Sequence, residues 1–324
     1  MRAIEIKKFG GVEVLEYLEV AEPVLQQNSI LIQVEASGVN FADTYMRKGV
    51  FPAPIQLPFI LGIEGCGTVI AVSEEQNQDL VGSRVVFYQR GGSYAEKILI
   101  NMDNLDNFVA PIPAELPMEI AASLATGGLT AFLVAEKIPQ SKHWNKLALV
   151  HGVSGAVGVI LSQLLKLKNI EVIGLISANS KENNTYCDHL INRKTQDISS
   201  EVYKLSENGV DYIFNSSGGA TLARDMDLLR PSGEMIWFGF GESNKTVGME
   251  TALFANFMKG YSFHTHVTSL YSREVRAVGI QKLAQLFLEQ KLKLEVQSLP
   301  LALAAEAHQW IEDSRHTGKM VLKI

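Results

Sequence analysis

The chain has 324 residues, 47% of them apolar and 20% charged, and a formal net charge of −6. That length predicts two domains, and the composition is that of an ordinary soluble globular protein. The acidic balance argues against nucleic acid as the main partner. Two cysteines leave no disulfide framework, and no apolar run nears the roughly 20 residues of a membrane span. The first residues, MRAIEIKKFGG, carry charges where an export signal needs an apolar core, so a cytoplasmic protein with no membrane partner is expected.

Residues 1 to about 120 read as β-rich. Short apolar runs at 30–36, 67–72, 84–87 and 94–100 are bounded by Gly, Asp, Ser or Asn, and Pro52, Pro54 and Pro58 punctuate a loop between them. This pattern predicts a compact, barrel-like β domain. Residues 118–137 read as helical, interrupted at Gly127 and Gly128. From residue 147 strand-like runs at 147–150, 171–176, 189–191, 211–214 and 234–238 alternate with helices at 156–168, 182–186, 198–207 and 220–229. A strand at 261–267 completes six. Such alternation predicts parallel strands joined by crossover helices, an α/β doubly wound sheet. A long helix at 275–290 and the tail then return to the first domain. The expected division is 1–121, 122–266 and 267–324.

The most informative stretch is LALVHGVSGAVGVILSQLLKLK, residues 147–168. An apolar strand meets a glycine-rich turn and a helix with an apolar body. Gly152, Gly155 and Gly158 allow a tight turn, close approach of a ligand and close packing of helix on strand, and the helix N-terminus aims free N–H groups at a pyrophosphate. The spacing is GxxGxxG with Val153 where a fingerprint glycine is usual, and such glycines also mark a plain turn. The order of elements downstream decides for a dinucleotide.

An NAD-binding unit places an acid at the end of its second strand. Here Ser177, Ala178, Asn179, Ser180 and Lys181 follow, with no carboxylate. Ser177 can donate a hydrogen bond, and Lys181 and Arg193 can supply charge to a 2′-phosphate. The bland alternative makes Lys181 and Arg193 ordinary surface cations; with the acid missing, NADPH is the expected cofactor.

Five segments together resemble one family. ASGVNFADTYMRKG (36–49), LPFILGIEGCGTV (57–69), AASLATGGLTAF (121–132), HGVSGAVG (151–158) and RHTGKMVL (315–322) are similar to the zinc-free, zeta-crystallin-like quinone oxidoreductases of the medium-chain dehydrogenase/reductase superfamily. The resemblance implies a GroES-like β-rich catalytic domain with a Rossmann domain inserted in it and NADPH in the cleft. It places Asn40 and Asp43 at the nicotinamide end, with Tyr45 nearby. Thr130 would contact the centre of the cofactor, Gly152, Gly155, Ala156 and Val157 the pyrophosphate, and Ser177, Lys181 and Arg193 the adenosine phosphate. Ser217, Phe238 and Gly239 would flank the nicotinamide ribose, and Arg315 would close over the cofactor. Val153 and Ser154 stand where relatives often have Ala and Gly, Ala156 replaces a frequent Gly, Arg193 stands where Tyr is frequent, and Phe51 removes one candidate hydroxyl.

Zinc-dependent relatives carry a Cys in the segment matching 38–43 and a His–Glu pair matching 63–64, where this chain has Asn40 and Ile63. Two cysteines cannot form a four-Cys lobe either, so no metal is expected. The reaction expected is hydride or stepwise electron delivery to a quinone, with an activated enone as the alternative acceptor. Tyr45 is the first candidate donor to the acceptor oxygen and Asn40 the second, although Asn40 equally reads as orienting the cofactor amide and Tyr45 as a plain cleft-wall aromatic. A non-catalytic NADPH-binding module is the rival from another class. Cys66, between glycines, reads as a small buried residue, and His151 as either a cofactor contact or a turn filler. The resemblance also suggests a homodimer built by edge pairing near 261–267.

Overall fold

The computed structural model describes residues 1–138, 146–177, 186–239 and 247–324, in two compact units. One unit comprises Met1–Leu129 with Thr268–Ile324, the other Thr130–Val267.

The first unit is organised around the strand Ser29–Val39. Its alternating Ile30, Ile32 and Val34 pack with Val69, Val85, Phe87 and Ile98. It pairs antiparallel with Glu64–Val72, Lys97–Asn101 and the C-terminal strand Lys319–Lys323 in a seven-stranded sheet. A three-stranded sheet sets Arg2–Ile6 between Glu16–Glu19 and Phe59–Ile60. The pairing strand expected at 94–100 begins only at Lys97, because Tyr94 turns to the small sheet, accepting from the Ile4 N–H and donating its own N–H to Leu61 O. The expected helix 118–137 is cut into Met118–Ala121, a π turn Leu124–Gly128 and Leu129–Glu136. Helices Phe41–Lys48 and Ala304–Glu312 and strands Val296–Pro300 and Lys319–Lys323 are additional to the expected elements.

The second unit holds six parallel strands in the order His189–Asn192, Ile170–Ile176, Lys146–His151, Val210–Asn215, Leu229–Trp237, Ser262–Thr265. Numbered along this unit, that is 3-2-1-4-5-6, the doubly wound order expected of a Rossmann domain. Ile173, Leu149, Ile213 and Met235 lie in one register row, all fully buried, which is why these strands are apolar along their length. Helix Ala156–Leu167 packs back on the sheet. Residues 182–185 of the expected short helix lie outside the described residues. No described helix is long and apolar enough to cross a membrane.

Candidate active site

In a doubly wound sheet ligands bind outside the carboxyl ends of the strands where the order reverses, here between His151 and Asn215. Three glycines leave His151 with different duties. Gly152 takes φ +65°, a left-handed conformation that suits glycine. At Gly158 a Cβ would lie 2.3 Å from Gly152 O, so the helix approaches the turn too closely for any side chain. Gly155 caps helix Ala156–Leu167 with an ordinary φ of −89°, and a Cβ there would meet only Gly152 O, at 3.6 Å. The chain's own packing does not demand glycine at 155. The room it leaves is beside the Ala156 and Val157 N–H groups, which begin the helix and have no carbonyl a turn earlier. Room beside unpaired N–H groups at a helix start is the kind of place where an anion can bind.

Ser177 follows the second strand directly, and the Arg193 N–H donates to Ile176 O at 3.0 Å, which sets Arg193 beside that strand end with its side chain exposed. Lys181 lies outside the described residues. Thr130 is buried in the first turn of Leu129–Glu136.

The loops after the fourth and fifth strands meet the glycine turn. Asn215 Oδ1 accepts from the Ser217 and Gly218 N–H groups at 2.8 and 2.7 Å. The Phe238 N–H donates to Asn215 O, and a Cβ on Gly239 would strike Ser216 O at 2.3 Å. Ser217, Phe238, Gly239 and Gly152 therefore converge. Unforeseen from the sequence is the support beneath them. His151 Nδ1 lies 3.3 Å from Ser217 Oγ, and its Nε2 lies 2.8 Å from Asp225 Oδ2. Asp225 is fully buried and also accepts from Asn215 Nδ2 (2.6 Å) and Arg224 Nε (3.0 Å). Burial pushes its carboxyl pKa up, but His151 and Arg224 outweigh this and hold it below the usual range. His151 thus stands between Ser217 and the buried carboxylate of Asp225.

The first unit carries a separate buried polar cluster. Asn40 precedes helix Phe41–Lys48, and its N–H donates to Asp43 Oδ2 at 2.8 Å. Lys319 Nζ donates to Glu64 Oε1 (2.6 Å) and to Asn40 Oδ1 (2.7 Å). Asn40 Nδ2 points to Glu64 Oε1 (3.0 Å) and Gly38 O (3.2 Å), and the Thr126 N–H donates to Glu64 Oε2 (2.7 Å). Both amide protons of Asn40 are directed within the protein, to Glu64 Oε1 and Gly38 O.

Asp43 Oδ2 also accepts from Tyr94 Oη at 3.2 Å. Tyr94 meets His308 Nε2 at 3.1 Å, and His308 Nδ1 meets Arg47 Nη1 at 3.1 Å. Since Arg47 only donates, His308 accepts at Nδ1 and donates at Nε2, and Tyr94 passes its proton toward Asp43. Burial, then Arg47 and Lys48, push the His308 pKa down to about 3, so the ring stays neutral. Burial pushes Asp43 up to about 7 against its donors, and its Oδ1 has no hydrogen-bond partner.

Tyr45 is half-buried on the same helix, its ring centroid 6.5 Å from that of Phe41. Arg315 is exposed and pairs with Asp313 at 3.1 Å. Burial pushes the Cys66 thiol up to about 12, which fits the structural role expected of it.

Comparison with known proteins agrees with this architecture. The family described as alcohol dehydrogenase GroES-like domain matches residues 26–137, and that described as zinc-binding dehydrogenase matches residues 186–322. The chain is 29% identical over 327 residues to a probable quinone oxidoreductase of Schizosaccharomyces pombe, covering 98% of this chain and 96% of the relative. It is also 28% identical over 348 residues to the human synaptic vesicle membrane protein VAT-1 homolog, covering 99% and 86%. The crystal structure of Escherichia coli quinone oxidoreductase complexed with NADPH superposes with a TM-score of 0.89 at 28% identity, covering 100% of both chains. The chain belongs to the medium-chain dehydrogenase/reductase superfamily.

Within that superfamily the zinc-binding description sets a test. A catalytic zinc takes Cys, His or carboxylate ligands. Ile63 offers none, Asn40 offers an amide already held at both ends, and the carboxylate of Glu64 is spanned by an ammonium and a backbone N–H. Among the described residues no group of three or more His, Cys, Asp or Glu is arranged to hold a metal. At Asn40, Ile63 and Glu64 the described side chains do not fit a zinc ion.

Proposed function

We propose that this chain is an NADPH-dependent oxidoreductase that reduces quinones without a metal ion. The observation that carries the reading is the switch-point turn of the second unit, where Gly155 leaves room that the fold itself does not require. Full-length relatives named quinone oxidoreductase, one of them solved with NADPH, support the same reading.

Reduced NADPH, when bound, supplies the hydride. The chain's residues bind and orient it. The Ala156 and Val157 N–H groups would take the pyrophosphate at the Gly155 gap. Ser177 and Arg193, with Lys181, would take the 2′-phosphate, the planar guanidinium being suited to bidentate contact. Ser217, held by His151, would meet the nicotinamide ribose, with Phe238 and Gly239 lining the same turn and Thr130 contacting the centre of the cofactor. Arg315 would close over it. Asn40 and Asp43 fix the start of helix Phe41–Lys48, from which Tyr45 would donate to the acceptor oxygen as charge develops. A quinone is electron-poor and asks little of a proton donor or a Lewis acid, which suits a site built from an amide, a phenol and a buried carboxyl.

A homodimer belongs to the same proposal. Among the described residues Ser262–Thr265 pairs on one side only in the six-stranded sheet, and Phe254, Phe257 and Met258, on the segment leading into it, are 87%, 78% and 90% exposed. An open strand edge flanked by apolar side chains suits a second copy of the chain. A cytoplasmic setting suits the two free cysteines.

Initial rates of NADPH oxidation with a benzoquinone, a small alkenal and no acceptor, each repeated with NADH, test this reading. Turnover with quinone and NADPH is expected. Preference for the alkenal would move the protein to the enone reductases, and preference for NADH would remove the phosphate site from the account.

A further inference from the structure

Buried in the first unit, Lys319 is 2% exposed and Glu64 fully buried. The register explains how the pair is seated. Gly38 stands opposite Glu64 on one side and Val321 on the other, two residues from Lys319. A Cβ at Gly38 would lie 2.8 Å from both Glu64 Oε1 and Lys319 Cε, and 2.4 Å from Ala122 O. Glycine at 38 therefore makes the space in which the two side chains meet. An ammonium taken out of water survives only with a carboxylate and further acceptors, and here it has both, Glu64 Oε1 and Asn40 Oδ1.

We propose that Lys319 is the resident cation of this site, a positioning residue that neutralises Glu64, fixes the Asn40 amide, and so occupies by an internal ammonium the carboxylate a metal would need. Its effect on Asn40 is direct. With Oδ1 turned to Lys319 and Nδ2 to Glu64, the amide has one orientation, and the Asn40 backbone N–H is aimed at Asp43. Asp43 also senses the pair. The charged and titratable groups facing it are Lys319 and Glu64 from their strands, Tyr88 from the end of strand Arg84–Tyr88, and Tyr94 from the loop before Lys97–Asn101. His308 stands behind Tyr94, and Arg47 on its own helix. Burial raises the Asp43 pKa most; Lys319 lowers it and Glu64 raises it.

The consequence for activity rests on the quinone-reductase reading; the consequence for folding does not. Three full-length variants separate the two. Lys319→Met leaves Glu64 buried and unpaired, so its unfolding midpoint should fall well below the wild type. Lys319→Met/Glu64→Gln removes both charges and should recover most of that loss, and Lys319→Arg keeps the charge and should stay near the wild type. In the turnover assay Lys319→Met should lose roughly 10- to 100-fold in kcat with little change in the KM for NADPH, the scale on which supporting partners act. The Asp43 carboxylate holds the helix start by accepting from the Asn40 N–H and Tyr94 Oη, so its protonation should give the kcat/KM profile an acid limb; in Lys319→Met that limb should move to higher pH, and the double variant should bring it back. A purely structural role would lower the rate at every pH and leave the limb in place. The proposal is overturned by a folded Lys319→Met whose stability and acid limb match the wild type, or by stoichiometric zinc retained by the wild type after dialysis. Should wild-type turnover be absent, the quinone reading fails, and the unfolding series alone decides for or against Lys319.

Discussion

Gly155 and Gly158 lie three residues apart in one turn, yet alanine at each should do opposite things. At Gly158 the new methyl would stand 2.3 Å from Gly152 O and 2.6 Å from Val153 Cα, both backbone atoms that cannot swing aside. The helix must shift, and overpacking of this kind costs about 1–3 kcal/mol. At Gly155 the methyl meets nothing nearer than 3.6 Å, at a φ open to any residue. Alanine there gains about 0.4–1 kcal/mol from a less flexible unfolded chain. It loses a similar amount as a poorer helix cap, so stability should stay within about 0.5 kcal/mol of the wild type. Binding should change far more. Filling the cradle removes a charge-assisted contact worth about 1.5–3 kcal/mol, a roughly 10- to 150-fold weaker Kd for NADPH. Fluorescence titration with NADPH, beside thermal unfolding of both variants, reads out the contrast. A Gly155→Ala protein that binds NADPH as tightly as the wild type would refute the assignment of that gap to the pyrophosphate.

Arg193→Ala should weaken NADPH binding roughly 10-fold or more while leaving NADH unchanged, because only the 2′-phosphate needs the guanidinium; paired titrations measure it. Two buried groups should shape stability against pH with opposite slopes. Asp43 binds its proton more tightly folded than unfolded, so its contribution falls as pH rises from about 4 to 7. His308, held down to about 3, costs stability as pH falls below about 6.5. Urea unfolding across pH should therefore lose the first slope in Asp43→Asn and the second in His308→Gln. Charge on the exposed apolar segment, as in Phe257→Glu with Met258→Glu, should convert a dimer to a monomer in light scattering; an unchanged mass would place any interface elsewhere.

The second unit is legible in the sequence because its signals are local. Apolar strands, a glycine turn and a helix follow each other within residues 147–168, and the parallel order then sets the glycine turn at the point where the strand order reverses. The first unit hides its site for two physical reasons. Helix Phe41–Lys48 buries Asp43, Thr44 and Arg47, so the usual match of apolar side chains to the buried face is broken. Lys319, read alone, is a charged residue at the edge of an apolar run, and its partner Glu64 is 255 residues away in sequence. Tyr94 and His308 meet across 214 residues in the same way. Only strand pairing between Ser29–Val39 and both Glu64–Val72 and Lys319–Lys323 brings the cluster together, and no periodicity within one segment encodes that pairing. His151 falls between these cases: its place at the strand end is evident, but Asp225 reaches it from a helix face 74 residues on.

The most direct measurement is a single turnover: protein preloaded with NADPH, in the presence of a strong metal chelator, mixed rapidly with 1,4-benzoquinone while absorbance at the nicotinamide band is followed. The account predicts one NADPH consumed per site, much faster than the uncatalysed reaction and indifferent to chelator or added zinc. Tight NADPH binding with no acceleration, or acceleration that appears only with added zinc, would contradict it.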